Sequence, residues 1–163
     1  MVKAEQPSIE NAFNVAQVRL INNSYTRVLG EALLFGYQNE RALAEALFEA
    51  PFVVISHDVA SDPVFNYGNQ MALSLFEVTW AELVSLPSRF SAESVVQEER
   101  SDLLERVKKD GFIADYHGIR VSKTGRRFHI DRAVVWNLFN DQGAYQGQAA
   151  CFKEWRFLIK MIC

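Results

Sequence analysis

Ser56, His57 and Asp58 carry the three functional groups of a hydrolytic triad in consecutive positions. The spacing argues against that use. These residues end a strand-like stretch, where successive side chains point to opposite faces, so nucleophile, base and orienting carboxylate would not converge. Metal chemistry has no better support from spacing. His57, His117 and His129 fall on three separate predicted strands, and no Cys or carboxylate repeats beside them at a ligand interval. The reading therefore contains no metal site and disfavours a haem held through one histidine. Cys151 and Cys163 are too few to staple a domain or hold zinc, and read as free thiols.

Binding chemistry is better represented. Along residues 127–139 apolar side chains alternate, with Phe128, Ile130, Val134, Trp136 and Leu138 on one side and Arg127, His129 and Asp131 on the other. Arg132 falls on the apolar side, and a charge there needs a partner or an exit. Either a bulge near Asp131 turns it to solvent, which is the favoured reading, or it reaches into a cavity to pair with an acidic ligand or a protein carboxylate. Trp80, Tyr116 and Trp136 are the other candidates for a pocket wall, because aromatic surfaces with a polar tip suit ligand sites; each would serve equally as ordinary core. Arg89 reads as an anchor of the loop before the long helix, bonding main-chain carbonyls, rather than as a ligand contact.

The elements that position these residues follow from periodicity. Residues 63–80 turn from strand to helix, with Asn69 as the cap of a helix starting at Gln70 and Thr79-x-x-Glu82 as the capping box of a second. Before them, residues 8–34 repeat apolar side chains at helical spacing with a break near Asn22-Asn23, a flank packed on its own domain or a dimerisation helix. Residues 41–50 form another helix, with Asn39 able to cap it, and Phe52 to Ile55 is a buried strand run. After a loop containing Arg89, Ser94 to Gln97 has capping-box spacing and opens a helix of about four turns that Gly111 stops. Three strands follow, the first with a bulge predicted at Gly118. The order predicts an antiparallel sheet with its helices mostly on one face.

Composition limits the function classes. With 163 residues, 49% of them hydrophobic, and a formal charge of −3, the chain can bury a core but lacks the basic footprint that nucleic-acid binding requires. Lys123 to Arg127 reads as a solvated hairpin tip. The N-terminal residues lack a signal-peptide pattern, and no apolar run approaches the roughly 18 residues of a membrane span. The expectation is a cytoplasmic protein without nucleic-acid or membrane partners.

Asn69-Gln70-Met71-Ala72 with Leu75-Phe76 and Trp80-x-Glu82-Leu83, the Thr124-Gly125 hairpin and Gln142 to Gly147 resemble the signature of PAS domains. A closer resemblance is to the MEKHLA family, a PAS-related group. It rests on Ala50 to His57, Phe65 to Asn69, Leu86 to Arg89, Ser91-Ala92, Gly118 to Arg120, Arg126 to Phe128, Trp136 to Leu138 and Gly147 to Ala150. That family occurs as small stand-alone proteins in bacteria and photosynthetic organisms, the type this chain resembles, and at the end of plant homeodomain-leucine zipper factors. The six-letter string that names the family is absent here. The resemblance implies an α+β fold with a PAS-like five-stranded antiparallel sheet cupping a small-molecule pocket, short helices packed on one face, and an N-terminal helical extension. A flavin–cysteinyl adduct is disfavoured because residues 70–110 contain no cysteine.

The expected organisation is a helical extension over 1–49, the PAS-like domain over 50–155 and an apolar tail over 156–163. The expected function is a non-enzymatic sensory or regulatory module that binds a small molecule, mediates protein association, or both. A homodimer is expected from the amphipathic N-terminal segment and the apolar tail. The cofactor is unknown. A small enzyme using the same cavity and a purely structural dimerisation domain are the alternatives.

Overall fold

A computed structural model of the chain describes residues 3–92 and 97–159, with the side chains of residues 97–100 and 104 excepted. The elements run α1 (Val15–Leu29), α2 (Glu40–Phe48), β1 (Val53–His57), β2 (Phe65–Gly68), α3 (Gln70–Phe76), α4 (Trp80–Leu83), α5 (Gln97–Asp110), β3 (Phe112–Val121), β4 (Arg127–Phe139), β5 (Tyr145–Phe152) and β6 (Glu154–Phe157). Every pairing is antiparallel, in the order β2-β1-β5-β4-β3, with β6 also on β4. β5 pairs with Val134 to Phe139 and β6 with Phe128 to Asp131 of the same strand. They are one long strand bent at Lys153, so the expected five strands are six segments.

Local chemistry places the helix starts where the sequence predicts. Asn39 accepts from Ala42 N at 2.8 Å, Asn69 from Ala72 N at 3.1 Å, and Thr79 and Glu82 close their capping box. The proposed cap over Ser94 to Gln97 lies partly outside the described residues, as does Cys163. α1 differs from expectation at both ends and in the middle. It starts only after a left-handed run at Ala12, Phe13 and Asn14 and stops at Gly30, whose φ of 76° lets its N–H reach Thr26 O. The break expected near Asn22-Asn23 is absent: the helix passes through intact, and the Asn22 side-chain oxygen receives Leu33 N from the segment beyond its end.

α3, α4 and α5 cover one face of the sheet and α1 the other. Val18 and Ile21 of α1 are buried, Trp136 donates its indole N–H to Ile21 O at 3.1 Å, and Tyr25 meets Trp136 edge-on. Burial of such apolar side chains stabilises by about 1.5–3 kcal/mol each. The apolar stripe of α1 is therefore covered by its own sheet.

The parity expected for β4 does not hold along its length. Pairing with β3 shifts between Tyr116 and Gly118, adding a residue to β4 at Asp131 and Arg132, and Arg132 takes a left-handed φ of 52°. Phe128 and Ile130 before the bulge and Ala133 and Val135 after it share the α3–α5 face, while Trp136 and its alternate neighbours turn to α1. β3 carries a second irregularity, between Ile113 and Tyr116, rather than the bulge predicted at Gly118. Gly118 has another use: a Cβ there would collide with the Tyr116 ring folded over it.

Candidate functional site

Between the sheet and α3–α5 lies a cup of about 80 Å3. β1 contributes Ile55 and His57, β3 Tyr116 and Arg120, β4 Ile130, Ala133 and Val135, β5 Gln148 and Phe152, and α5 Leu103. The wall is mostly apolar. Its polar groups are few and specific, as small-molecule sites require.

Arg120 is 9% exposed. Its guanidinium donates to its neighbour's carbonyl, Ile119 O, at 3.0 Å and lies 5.2 Å from the centre of the Tyr116 ring. Among the described residues no carboxylate pairs with it, and none lines the cup. A buried charge is costly to leave without a counter-ion. Gln148 adds a second directed group. It donates Nε2–H to Asn137 Oδ1 at 3.0 Å, and Asn137 in turn donates to Val107 O on α5, which fixes the amide. Gln148 Oε1 is then buried with no hydrogen-bond partner among the described residues.

Of the four residues selected from the sequence, Tyr116 borders the cup. Arg132 is exposed at the bulge and lines a surface groove with Glu31 and Lys153 on the α1 side. Trp136 faces α1, having crossed the sheet with the change of parity. Trp80 is buried beside Tyr67 and donates its indole N–H to Ala4 O at 2.9 Å, which fastens the N-terminal segment. Arg120 takes the place that sequence parity assigned to Arg132. Its signal was weak, because shifting the β3 irregularity from Gly118 to residues 114–115 is what turns Arg120 inward.

The Ser56-His57-Asp58 run is dispersed as strand geometry requires. Ser56 Oγ donates to Asn66 and receives from Gln17 on α1, His57 Nδ1 lies 2.9 Å from Asp58 O, and the Asp58 carboxylate receives Ala60 N and Val64 N in the turn. Arg89 pairs with the Asp62 carboxylate at 3.1 Å, a side-chain partner where main-chain carbonyls were expected. The Lys123–Arg127 tip is exposed, yet Ser122 and Thr124 both bond Glu77 at the end of α3, and Lys123 pairs with Glu82. The Thr124 and Ser122 hydroxyls hold the Glu77 carboxyl below its ordinary range.

An antiparallel sheet whose cup is closed by helices inserted between its second and third strands is a PAS-like domain. Solved structures agree: a PAS domain from Colwellia psychrerythraea has a TM-score of 0.59 at 13% identity over 71% of this chain and 93% of that one. An RNA-binding light-oxygen-voltage receptor has a TM-score of 0.62 at 16% identity over 76% of this chain and 36% of its own. These likenesses concern the fold. The family signature described as the MEKHLA domain matches residues 15–157, and the chain belongs to that family. Its relatives include homeobox-leucine zipper protein ATHB-8 of Arabidopsis thaliana, 28% identical over 143 residues, and HOX9 of Oryza sativa, 23% identical over 141. The match takes in 86% of this chain and 17% of each of those proteins, so the chain spans about a sixth of their length. Among the described residues no helix is long and apolar enough to cross a membrane.

Proposed function

We propose that this chain is a non-enzymatic sensory module whose cup takes a small molecule with an apolar body, an acidic group for Arg120 and a hydrogen-bond donor for Gln148 Oε1. The observation that carries the reading is Arg120, held in an apolar wall without a carboxylate among the described residues. Tyr116 is the aromatic side of the same site. An enzyme would need a titratable pair converging there, and the described lining offers His57 and Arg120 but no carboxylate. The relatives, named as homeobox-leucine zipper proteins, favour a regulatory role over catalysis.

Native mass spectrometry of tag-free protein, with an absorption spectrum of the same sample, tests the reading. The expected result is an added mass that Arg120→Gln loses and Arg132→Gln keeps. Thermal shift with a panel of small aromatic and aliphatic carboxylates supplies a second arm. A bare mass combined with no stabilisation by any carboxylate refutes it.

Self-association in the cytoplasm is the other part of the proposal. It is supported by the exposed apolar side chains Phe157 and Ile159, the latter 90% exposed, and no longer by α1. Light scattering on wild type and Ile159→Ser tests it: a monomer at all concentrations removes the homodimer.

A further inference from the structure

The outer surface of the β3–β4 ribbon gathers groups that the cup does not use. Ile119 pairs with His129, and residues two apart on a strand point the same way, so His117, His129 and Asp131 share that face. Spacing in the sequence argued against a metal; strand pairing assembles what spacing lacks. The candidate ligand atoms of these three side chains all lie within 4.8 Å of one another. His117 Nδ1 is 2.8 Å, and His129 Nδ1 3.4 Å, from the same oxygen, Asp131 Oδ1. Zinc bonds near 2.0–2.1 Å in a tetrahedron put ligand atoms about 3.3 Å apart. The two edges to Asp131 Oδ1 are close to that already, the one from His117 a little short, so small side-chain movements suffice to seat an ion.

Two further features point the same way. His129 Nδ1 is shielded from solvent and makes no hydrogen bond among the described residues. Leaving such a nitrogen unpaired costs about 1–3 kcal/mol, which a cation at that point would remove. On the far side of the other imidazole, Asp115 Oδ1 lies 3.2 Å from His117 Nε2. A carboxylate there accepts the second ring N–H of a metal-bound histidine, orients the ring and leaves Nδ1 to the ion.

We propose that His117, His129 and Asp131 form a binding site for a divalent transition-metal ion, zinc by ligand chemistry, with Asp115 orienting His117 and water in the open position. Two imidazole nitrogens and one carboxylate oxygen suit zinc, whereas calcium and magnesium select all-oxygen sets. The His117 side chain is 49% exposed and that of Asp131 35%, so ion and water can enter. Arg156 of β6, in register with His129, contributes a nearby positive charge at Asp131 with which a bound metal would compete. It is exposed, which lets it turn to water. The bound ion would join β3 to β4 beside the Arg132 bulge.

The test uses the tag-free full chain stripped with chelator. Cobalt titration followed by visible absorption, and zinc titration by calorimetry, should give one saturable site per chain, with zinc displacing cobalt. His129→Asn and Asp131→Asn should each weaken binding by at least about tenfold, and Asp115→Asn by roughly tenfold. Glu45→Gln, at an exposed carboxylate on α2, should bind as wild type. Circular dichroism checks each fold, and the exposed His117→Gln replaces any variant that fails to fold. Absence of saturable binding at millimolar metal overturns the proposal. So does binding left unchanged in His129→Asn, Asp131→Asn and His117→Gln, which would assign the ion to adventitious ligands elsewhere.

Discussion

Removing the side chain of Asn69 should cost this domain far more than a helix cap. Asn69 is fully buried, and its amide makes four hydrogen bonds: Oδ1 receives Val54 N at 3.2 Å and Ala72 N at 3.1 Å, while Nδ2 donates to Leu47 O at 3.0 Å and Phe52 O at 2.7 Å. One side chain thus joins the end of α2, the start of β1 and the first turn of α3. Loss of an N-cap costs about 0.5–2 kcal/mol. Asn69→Ala also strands the Val54 N–H and takes the Asn69 donor from the Phe52 carbonyl where water does not reach, at about 1–3 kcal/mol each before relaxation, while Leu47 O keeps Ala50 N at 3.3 Å. Allowing for neighbours that settle into the space, the expected loss is about 3–5 kcal/mol, a large share of the 5–15 kcal/mol typical of a domain. Urea unfolding followed by circular dichroism measures it, and the melting temperature should fall by about 10 °C. Asn69→Asp sharpens the test, since it keeps the cap acceptor but sets a carboxylate against two carbonyls; it should be no better than alanine. A loss below about 1 kcal/mol for Asn69→Ala would refute the four-bond account.

Four other outcomes follow from the same reasoning. Gly147 has a φ of 123° and a Cβ there would overlap the His57 carbonyl, so Gly147→Ala should separate β5 from β1 and lower the midpoint of denaturation sharply. Gly118→Ala meets only the movable end of Tyr116, and should disturb the cup, read as loss of added mass, with little change in that midpoint. Cys151 is buried, which pushes its thiol up to about 12; brief alkylation of native protein with peptide mapping should leave it unmodified, and rapid labelling would contradict its burial. In chelator, the hydrogen bond to Asp131 holds the His117 pKa above its ordinary value, and the same bond holds that of Asp131 below its own. The histidine's contribution is complete below its unfolded-state pKa and fades as pH rises through the raised one. The aspartate's is complete above its unfolded-state pKa and fades as pH falls through the lowered one. The pair therefore supports the fold most between about pH 4 and 6.5. A proton NMR titration should show the His117 pKa dropping in Asp131→Asn; an unchanged value would remove the pair.

The outward-facing ribbon and the inward-facing cup differ in how visible they were beforehand. Asn39, Asn69 and Thr79 were readable as caps because a cap bonds a residue three positions on, and nothing distant alters that. Element order, the antiparallel arrangement and the family resemblance were readable for the same reason, since alternation and helical spacing are properties of neighbours in the chain. Arg132 was recognisable as a misfit, and the bulge that expels it was the favoured reading. Its consequence was not drawn: one added residue in β4 exchanges the faces beyond it, and carries Trp136 from the cup to α1.

Arg120 and the histidine cluster lay beyond reach for a different reason. Which side of β3 faces inward depends on register against β4, and register depends on two irregularities whose positions are settled by packing of Tyr116 over Gly118 and of Ile113 against α5. Likewise, no interval along the chain marks His117, His129 and Asp131 as neighbours; only hydrogen bonding between adjacent strands makes them so. The amino-acid order by itself determined the sequence of helices and strands, because that rests on contacts within a few residues. The assembled sheet alone decided which charge lies in the cup and which imidazoles meet, because a shift of one residue in strand pairing turns every later side chain to the opposite face.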